Sequence, residues 1–292
     1  MRPDAQPERL CYEGFPRHNV AMGTRLATWW TILRIGLEER LAYRGDFALG
    51  TLMRLLPVVT QVFLWYSIFQ ARGQEPIAGY KYEDFVAYYL LTMVARAFSS
   101  MPGLSSGIAR TILTGDVKKY LTQPVDMLSF LLIGRVAHKL AYYVVATGPF
   151  ALVFFLCRGY FDHVPDAPTW IAFIASLFMG FVLGYFLEAC MGLVGFWFGE
   201  IGSLLFVYML FNFFLSGHMF PLDMLPGGWR TFVMATPLMY LAYFPAAVFL
   251  GKIHGVELYQ CLAIELAWIV FFMVLSRVLF ARGLVRYSAY GG

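Results

Sequence analysis

The chain alternates long apolar runs with short polar breaks. Six runs approach bilayer length, about 20 residues each. They lie at roughly 47–69, 84–106, 128–157, 169–192, 202–216 and 258–280. The fourth and fifth are nearly fused, since Glu188 and Glu200 are the only formal charges between Trp170 and Leu215. The stretch Gly195–Gly202 (GFWFGEIG) has the glycines for a tight turn, which divides them. Ahead of the first run, residues 21–45 repeat apolar side chains at helical spacing: Met22, Leu26, Trp29, Trp30, Leu33, Leu37 and Leu41. Arg25, Arg34, Glu38 and Arg40 occupy other faces, the pattern of an amphipathic helix lying in the membrane interface. Its role is open between a plain anchor and a lever driven by a cytosolic partner.

After the fifth run the pattern changes. Residues 217–250 stay apolar, but Pro221, Pro226, Pro237 and Pro245 interrupt any single helix. Such a segment predicts short helices dipping into the bilayer or lying at its face, a form tolerated where backbone is buried in protein or lines a wet cavity. The predicted fold class is an all-α membrane protein: six transmembrane helices, an N-terminal interfacial helix and a re-entrant helical hairpin before the last span. Residues 1–20 and 281–292 are expected to be cytosolic tails.

Composition agrees with this pattern. The 292 residues are 60% hydrophobic and only 14% charged, with a mean hydropathy of +0.64. Soluble domains carry about 25% charge, so a soluble enzyme, a disordered chain and a nucleic-acid binder are set aside. The placement of charge is informative. On the side of the N-terminus, the 107–127 loop, the start of the third run (Arg135 and Lys139, counted as flanking the membrane) and the C-terminus there are 15 Lys and Arg, against 5 on the other side. The positive-inside bias puts both termini and the 107–127 loop in the cytosol and the proline-broken hairpin outside. No apolar signal segment precedes Arg17.

Chemistry-bearing patterns are few. Cys11, Cys157, Cys190 and Cys261 form no C-x-x-C pair and read as small packing residues. The histidines lack metal-ligand spacing, and neither a P-loop nor a G-x-S-x-G elbow occurs. The chain is therefore expected to hold no catalytic residue, metal or cofactor of its own. Charges at membrane depth stand out: Arg54, Arg96, Glu188 and Glu265. Each costs about 2.5–3.5 kcal/mol there unless paired or hydrated. Arg96 is central in the second predicted span. Glu188 follows Gly180 and Gly184 and precedes Gly192 at intervals of four, on a helix face where small residues permit close approach. Arg96, Glu188 and Glu265 are candidates for an intramembrane polar pair or pathway.

Two local patterns resemble a known family. The cytosolic stretch Gly115, Asp116, Val117, Lys118, Lys119, Tyr120, Leu121, Thr122, Gln123, Pro124 is similar to a G-x-(4)-L-x-x-P segment between the second and third spans of certain permeases. Ser216–Pro226 (SGHMFPLDMLP), with Pro237–Tyr240 (PLMY) and Phe244–Ala246 (FPA), resembles their S-G-x-x-F-P-x-x-x-L-P…P-x-x-Y signature before the last span. In order, these features resemble the membrane subunit of ABC exporters of the polysaccharide, teichoic-acid and drug-efflux class. The resemblance is nearest to a bacterial branch with paired permease subunits.

That resemblance implies a permease subunit of an ATP-driven exporter in the bacterial inner membrane. Its expected partners are cytosolic ATP-binding-cassette ATPase subunits and a second permease subunit, identical or related, within membrane lipid. ATP and Mg would sit on the ATPase. Gly115, Asp116, Lys118, Lys119, Tyr120, Leu121 and Pro124 would form the ATPase-coupling element. Gly217, Phe220, Pro221, Leu225, Pro226, Pro237 and Tyr240 would form an external gate. The alternative from the residues themselves is an ion-coupled secondary transporter using Glu188, Glu265 and Arg96, although no internal repeat relates residues 47–157 to 169–280.

Overall fold

The computed structural model describes residues 22–42, 44–73, 75–123, 125–161 and 165–287. Among these, every regular element is helical. The α-helices are α1 (Met22–Ala42), α2 (Arg44–Ala71), α3 (Tyr82–Ser99), α4 (Leu104–Leu113), α5 (Lys118–Leu121), α6 (Met127–Leu156), α7 (Ala167–Leu193), α8 (Gly202–Leu215), α9 (Gly227–Met234), α10 (Tyr243–Phe249) and α11 (Gly255–Arg286). Among the described residues, three helices are long and apolar enough to cross a membrane: Met127–Leu156, Ala167–Phe196 and Gly255–Arg286. Leu55–Ala71 and Gly202–Leu215 are apolar but shorter. The expected cytosolic tail at 1–20 lies outside the described residues, and α11 continues to Arg286.

Helix α7 is the central post. It packs against α11, α4, α3 and α10. The small-residue stripe explains how so many neighbours fit. A Cβ added at Gly184 would stand 2.3 Å from the Ser99 carbonyl oxygen, and one at Gly192 would stand 2.7 Å from that of Ser105. With hydrogen in place of a side chain, α7 lies directly against the backbone of α3 and α4. Outward faces of α6, α8 and α11 carry exposed Val144, Leu152, Phe155, Phe206, Phe211, Phe271 and Val274. An apolar exterior of this kind suits lipid rather than water.

The expected 84–106 span is not one helix. It ends at Ser99 and restarts as α4 at Leu104. Pro102 lacks an N–H and Gly103 adopts φ +70°, so the chain turns there. The freed carbonyls are met by α6: Arg135 Nη1 donates to Pro102 O at 2.8 Å, and Lys139 Nζ and Tyr143 Oη donate to Ala97 O. Interrupted helices need such partners in a lipid setting. Two expectations are corrected as a result. Arg96 is in the last turn of α3, just before the break, rather than inside a continuous helix. Lys139 is only 5% exposed, holding the negative end of a helix rather than flanking the membrane.

Helix α1 packs along α6, with the Ala137 Cβ 3.2 Å from where a Cβ on Gly36 would sit. Trp29, Leu33 and Leu37 are half-buried while Trp30 and Ile35 are exposed, so apolar residues occur on both faces.

The 217–250 segment folds back onto the bundle. Its α10 is buried from Tyr243 to Val248 and packs between α3 and α7. Three tyrosines, Tyr80 just ahead of α3 and Tyr88 and Tyr89 within it, hold the segment. Tyr88 donates to the Gly217 carbonyl, Tyr89 to that of Met219 at 2.6 Å, and Tyr80 to Asp223 Oδ2 at 2.8 Å. Trp65 in turn donates to the Tyr89 hydroxyl at 2.6 Å. Gly217 has φ +81°, and a Cβ there would stand 2.6 Å from that of Tyr243. Only glycine meets both conditions.

Candidate functional site

A cavity of about 640 Å³ opens among α2, α3, α4, α7 and α8. Arg96 and Glu188, singled out on different helices, both line it. Arg96 Nη1 donates to Asn212 Oδ1 at 3.3 Å. Glu188 faces Ser105 and attracts Arg96 electrostatically. Ser105 is the second residue of α4, so the Glu188 carboxylate occupies the positive end of that helix. Tyr208, Ser100 and His218 add to the polar lining, and Met53, Met93, Met101 and Met209 contribute to the apolar walls.

Ser100, Asn212 and His218 are not among the residues singled out from the sequence. The His218 ring stacks edgewise on Phe213 at 5.2 Å, and its Nδ1 is buried with no hydrogen-bond partner among the described residues. The Ser100 hydroxyl is likewise buried without a described partner.

Glu265 is elsewhere. It is 0% exposed, both its oxygens lack partners among the described residues, and it lies beside Gly180 rather than on the cavity. The structure thus brings Arg96 and Glu188 together and leaves Glu265 apart.

The segment from Gly115 to Leu121 forms an exposed turn. Gly115 takes φ +80° and is followed by a short helical turn, with Lys118 N bonded to Gly115 O. Asp116 accepts from Thr114 at 2.8 Å and pairs with Lys119 at 2.6 Å. Those hydrogen bonds hold the Asp116 carboxyl below its ordinary range and raise the Lys119 amine. Val117 is fully buried and anchors the turn beside Ile112 and Met127. Lys118, Lys119 and Leu121 face outward, while Tyr120 leans on Phe130. Pro124 lies outside the described residues. Asp126 caps α6 through Ser129 N at 2.8 Å and pairs with Arg277 of α11 at 2.5 Å.

Of the candidate gate residues, Gly217, Pro221 and Tyr240 are buried in the bundle. Phe220, Leu225 and Pro237 are half-buried and Pro226 is exposed. Tyr240 abuts α7 at Gly180 through its carbonyl.

Long apolar helices with lipid-suited flanks around a charged cavity define an integral membrane protein of the transport type. More narrowly, the chain belongs to the ABC-2 family of transporter proteins, whose family model matches residues 55–291. It is an ABC-2 type permease subunit, and this family implies an ABC ATPase as partner. No curated protein matches the chain.

Proposed function

We propose that the chain is the membrane subunit of an ATP-driven exporter in the bacterial inner membrane, with both termini cytosolic. It pairs with a second permease subunit, identical or related. ATP and Mg are handled by a separate cytosolic ATPase. Six spans, including the interrupted second one, surround the cargo route, which passes Arg96 and Glu188. The 217–250 hairpin gates the external side.

The observation that carries this reading is the exposed basic and apolar turn at Gly115–Leu121, tethered by buried Val117. A rigid anchor behind an exposed cationic tip is suited to seating in a partner groove and transmitting its motion. Helix α4 runs from Ser105 at the cavity to Leu113 beside this turn. Its ten residues span about 15 Å, so the turn and the cavity are joined by one rod. The separation of Glu265 from the cavity weighs against a single Glu188–Glu265–Arg96 relay.

The test is the Lys118→Glu, Lys119→Glu double variant. Membrane insertion should be normal, while ATPase copurification and stimulated hydrolysis are lost. Normal copurification with normal stimulation overturns the coupling assignment.

A further inference from the structure

We infer that the cavity binds an amphiphile with a zwitterionic head. This deepens the proposed function by naming a ligand class for the same cavity. Two opposite charges line it from different helices, Arg96 on α3 and Glu188 on α7. A ligand of single charge meets attraction from one and repulsion from the other, and it leaves net charge in a low-dielectric site. A zwitterion answers both and adds no net charge.

Two further features point to a ligand. The Ser100 hydroxyl and His218 Nδ1 line the cavity and are buried without a hydrogen-bond partner among the described residues. Buried polar atoms are normally satisfied, so a ligand head or its water is the natural complement. Methionine walls then suit a flexible tail, because the unbranched thioether adapts to varied shapes. The volume of about 640 Å³ accommodates a head and part of a tail.

The experiment uses the full chain in nanodiscs of phosphatidylglycerol, which supplies no zwitterion. Binding of radiolabelled decylphosphocholine is measured below its micellar range. Decyl sulfate and decyltrimethylammonium serve as anionic and cationic competitors with the same tail. The zwitterion should be preferred, with Glu188→Gln and Arg96→Gln each weakening it about tenfold. Glu188→Gln should move the preference toward decyl sulfate, and Arg96→Gln toward decyltrimethylammonium.

Glu188→Asp and Arg96→Lys should retain the original ranking, which covers the case in which a neutral variant fails to fold. Met209→Trp, which fills the apolar wall, should weaken all three probes alike. A charged probe preferred by the parent chain overturns the proposal, and so does a ranking unmoved by the neutral variants. Adding phosphatidylethanolamine separates the sources: competition identifies a bilayer headgroup, and its absence identifies a free amphiphile. No ATP or ATPase is present. Zwitterion selectivity in a chain that recruits no ATPase therefore refutes only the exporter reading, and the converse refutes only this one.

Discussion

Substituting alanine along the α7 stripe should give a graded response, because each glycine meets a different depth of backbone. At Gly180 the added Cβ would stand 3.2 Å from the Tyr240 carbonyl oxygen, a few tenths of an ångström inside ordinary contact. At Gly192 it would meet Ser105 O at 2.7 Å and Ile108 Cβ at 2.8 Å. At Gly184 it would stand 2.3 Å from Ser99 O and 3.2 Å from Ser99 C. The last clash exceeds an ångström and involves backbone, so no rotamer change relieves it and α3 must part from α7. Overpacking costs about 1–3 kcal/mol, and this site belongs at the top of that range. Exchanging glycine for alanine within a helix returns about 1 kcal/mol. The net effect is close to zero for Gly180→Ala and about 2 kcal/mol of destabilisation for Gly184→Ala, with Gly192→Ala between. At about 2–4 °C per kcal/mol, Gly184→Ala should lower the melting temperature by about 4–8 °C. Thermal unfolding of the detergent-purified chain, followed by size-exclusion recovery, reads this directly. Equal melting temperatures for Gly180→Ala and Gly184→Ala would refute the close-approach argument.

Two other contacts give separate predictions. Tyr88→Phe removes the donor to the buried Gly217 carbonyl and should cost about 1–3 kcal/mol. The hairpin should loosen, seen as faster trypsin cleavage at exposed Arg230; an unchanged rate would show that this hydrogen bond does not hold the hairpin. At Asp126, burial raises the carboxyl, but Arg277 and Ser129 outweigh it and hold the group below its ordinary range. A depressed carboxylate contributes stability that is present above the unfolded value of about 3.9 and is lost as pH falls through the folded value. For a half-exposed pair that also caps a helix, about 1 kcal/mol is at stake. Stability should therefore fall from about pH 5 to about pH 3. Asp126→Asn should be less stable at neutral pH and show a flatter decline, and a decline as steep as the parent's would contradict the assignment.

Helical periodicity made much of the bundle legible. The Gly180, Gly184, Glu188, Gly192 stripe is a local repeat of four, and its close approaches follow from that spacing. The shared cavity of Arg96 and Glu188 follows from the scarcity of charge, since half-buried opposite charges favour a common site. The break after Ser99 was marked by Pro102-Gly103, a turn signal masked by the apolar residues around it. Lys139 was miscast because counting charges by loop ignores a side chain that reaches back to Ala97 O, 42 residues earlier. The pairing of Asp126 with Arg277 spans 151 residues, and His218 joins the cavity from the turn just after α8. Neither leaves a local trace.

The close approaches also bear on how force would travel if the exposed turn is the coupling element. Soft side chains can absorb a push by changing rotamer, but hydrogen-sized gaps between backbones cannot. Helix α4 meets α7 at such a gap, with Gly192 against Ser105 and Ile108. Beyond its C-terminal end, the chain enters the turn anchored by Val117. At its N-terminal end, Ser105 faces Glu188. A displacement of the turn relative to α7 must therefore slide or tilt α4 as a unit, which alters the Ser105–Glu188 contact and with it the field facing Arg96. The Arg277 pairing extends the same constraint to α11, because Asp126 follows the turn by only a few residues. A motor acting at Lys118 and Lys119 would thus reach the charged end of the cavity through α4 and its close contacts with α7. On this account Gly192→Ala should reduce coupled hydrolysis by more than its loss of stability explains, whereas Gly180→Ala, remote from α4, should not.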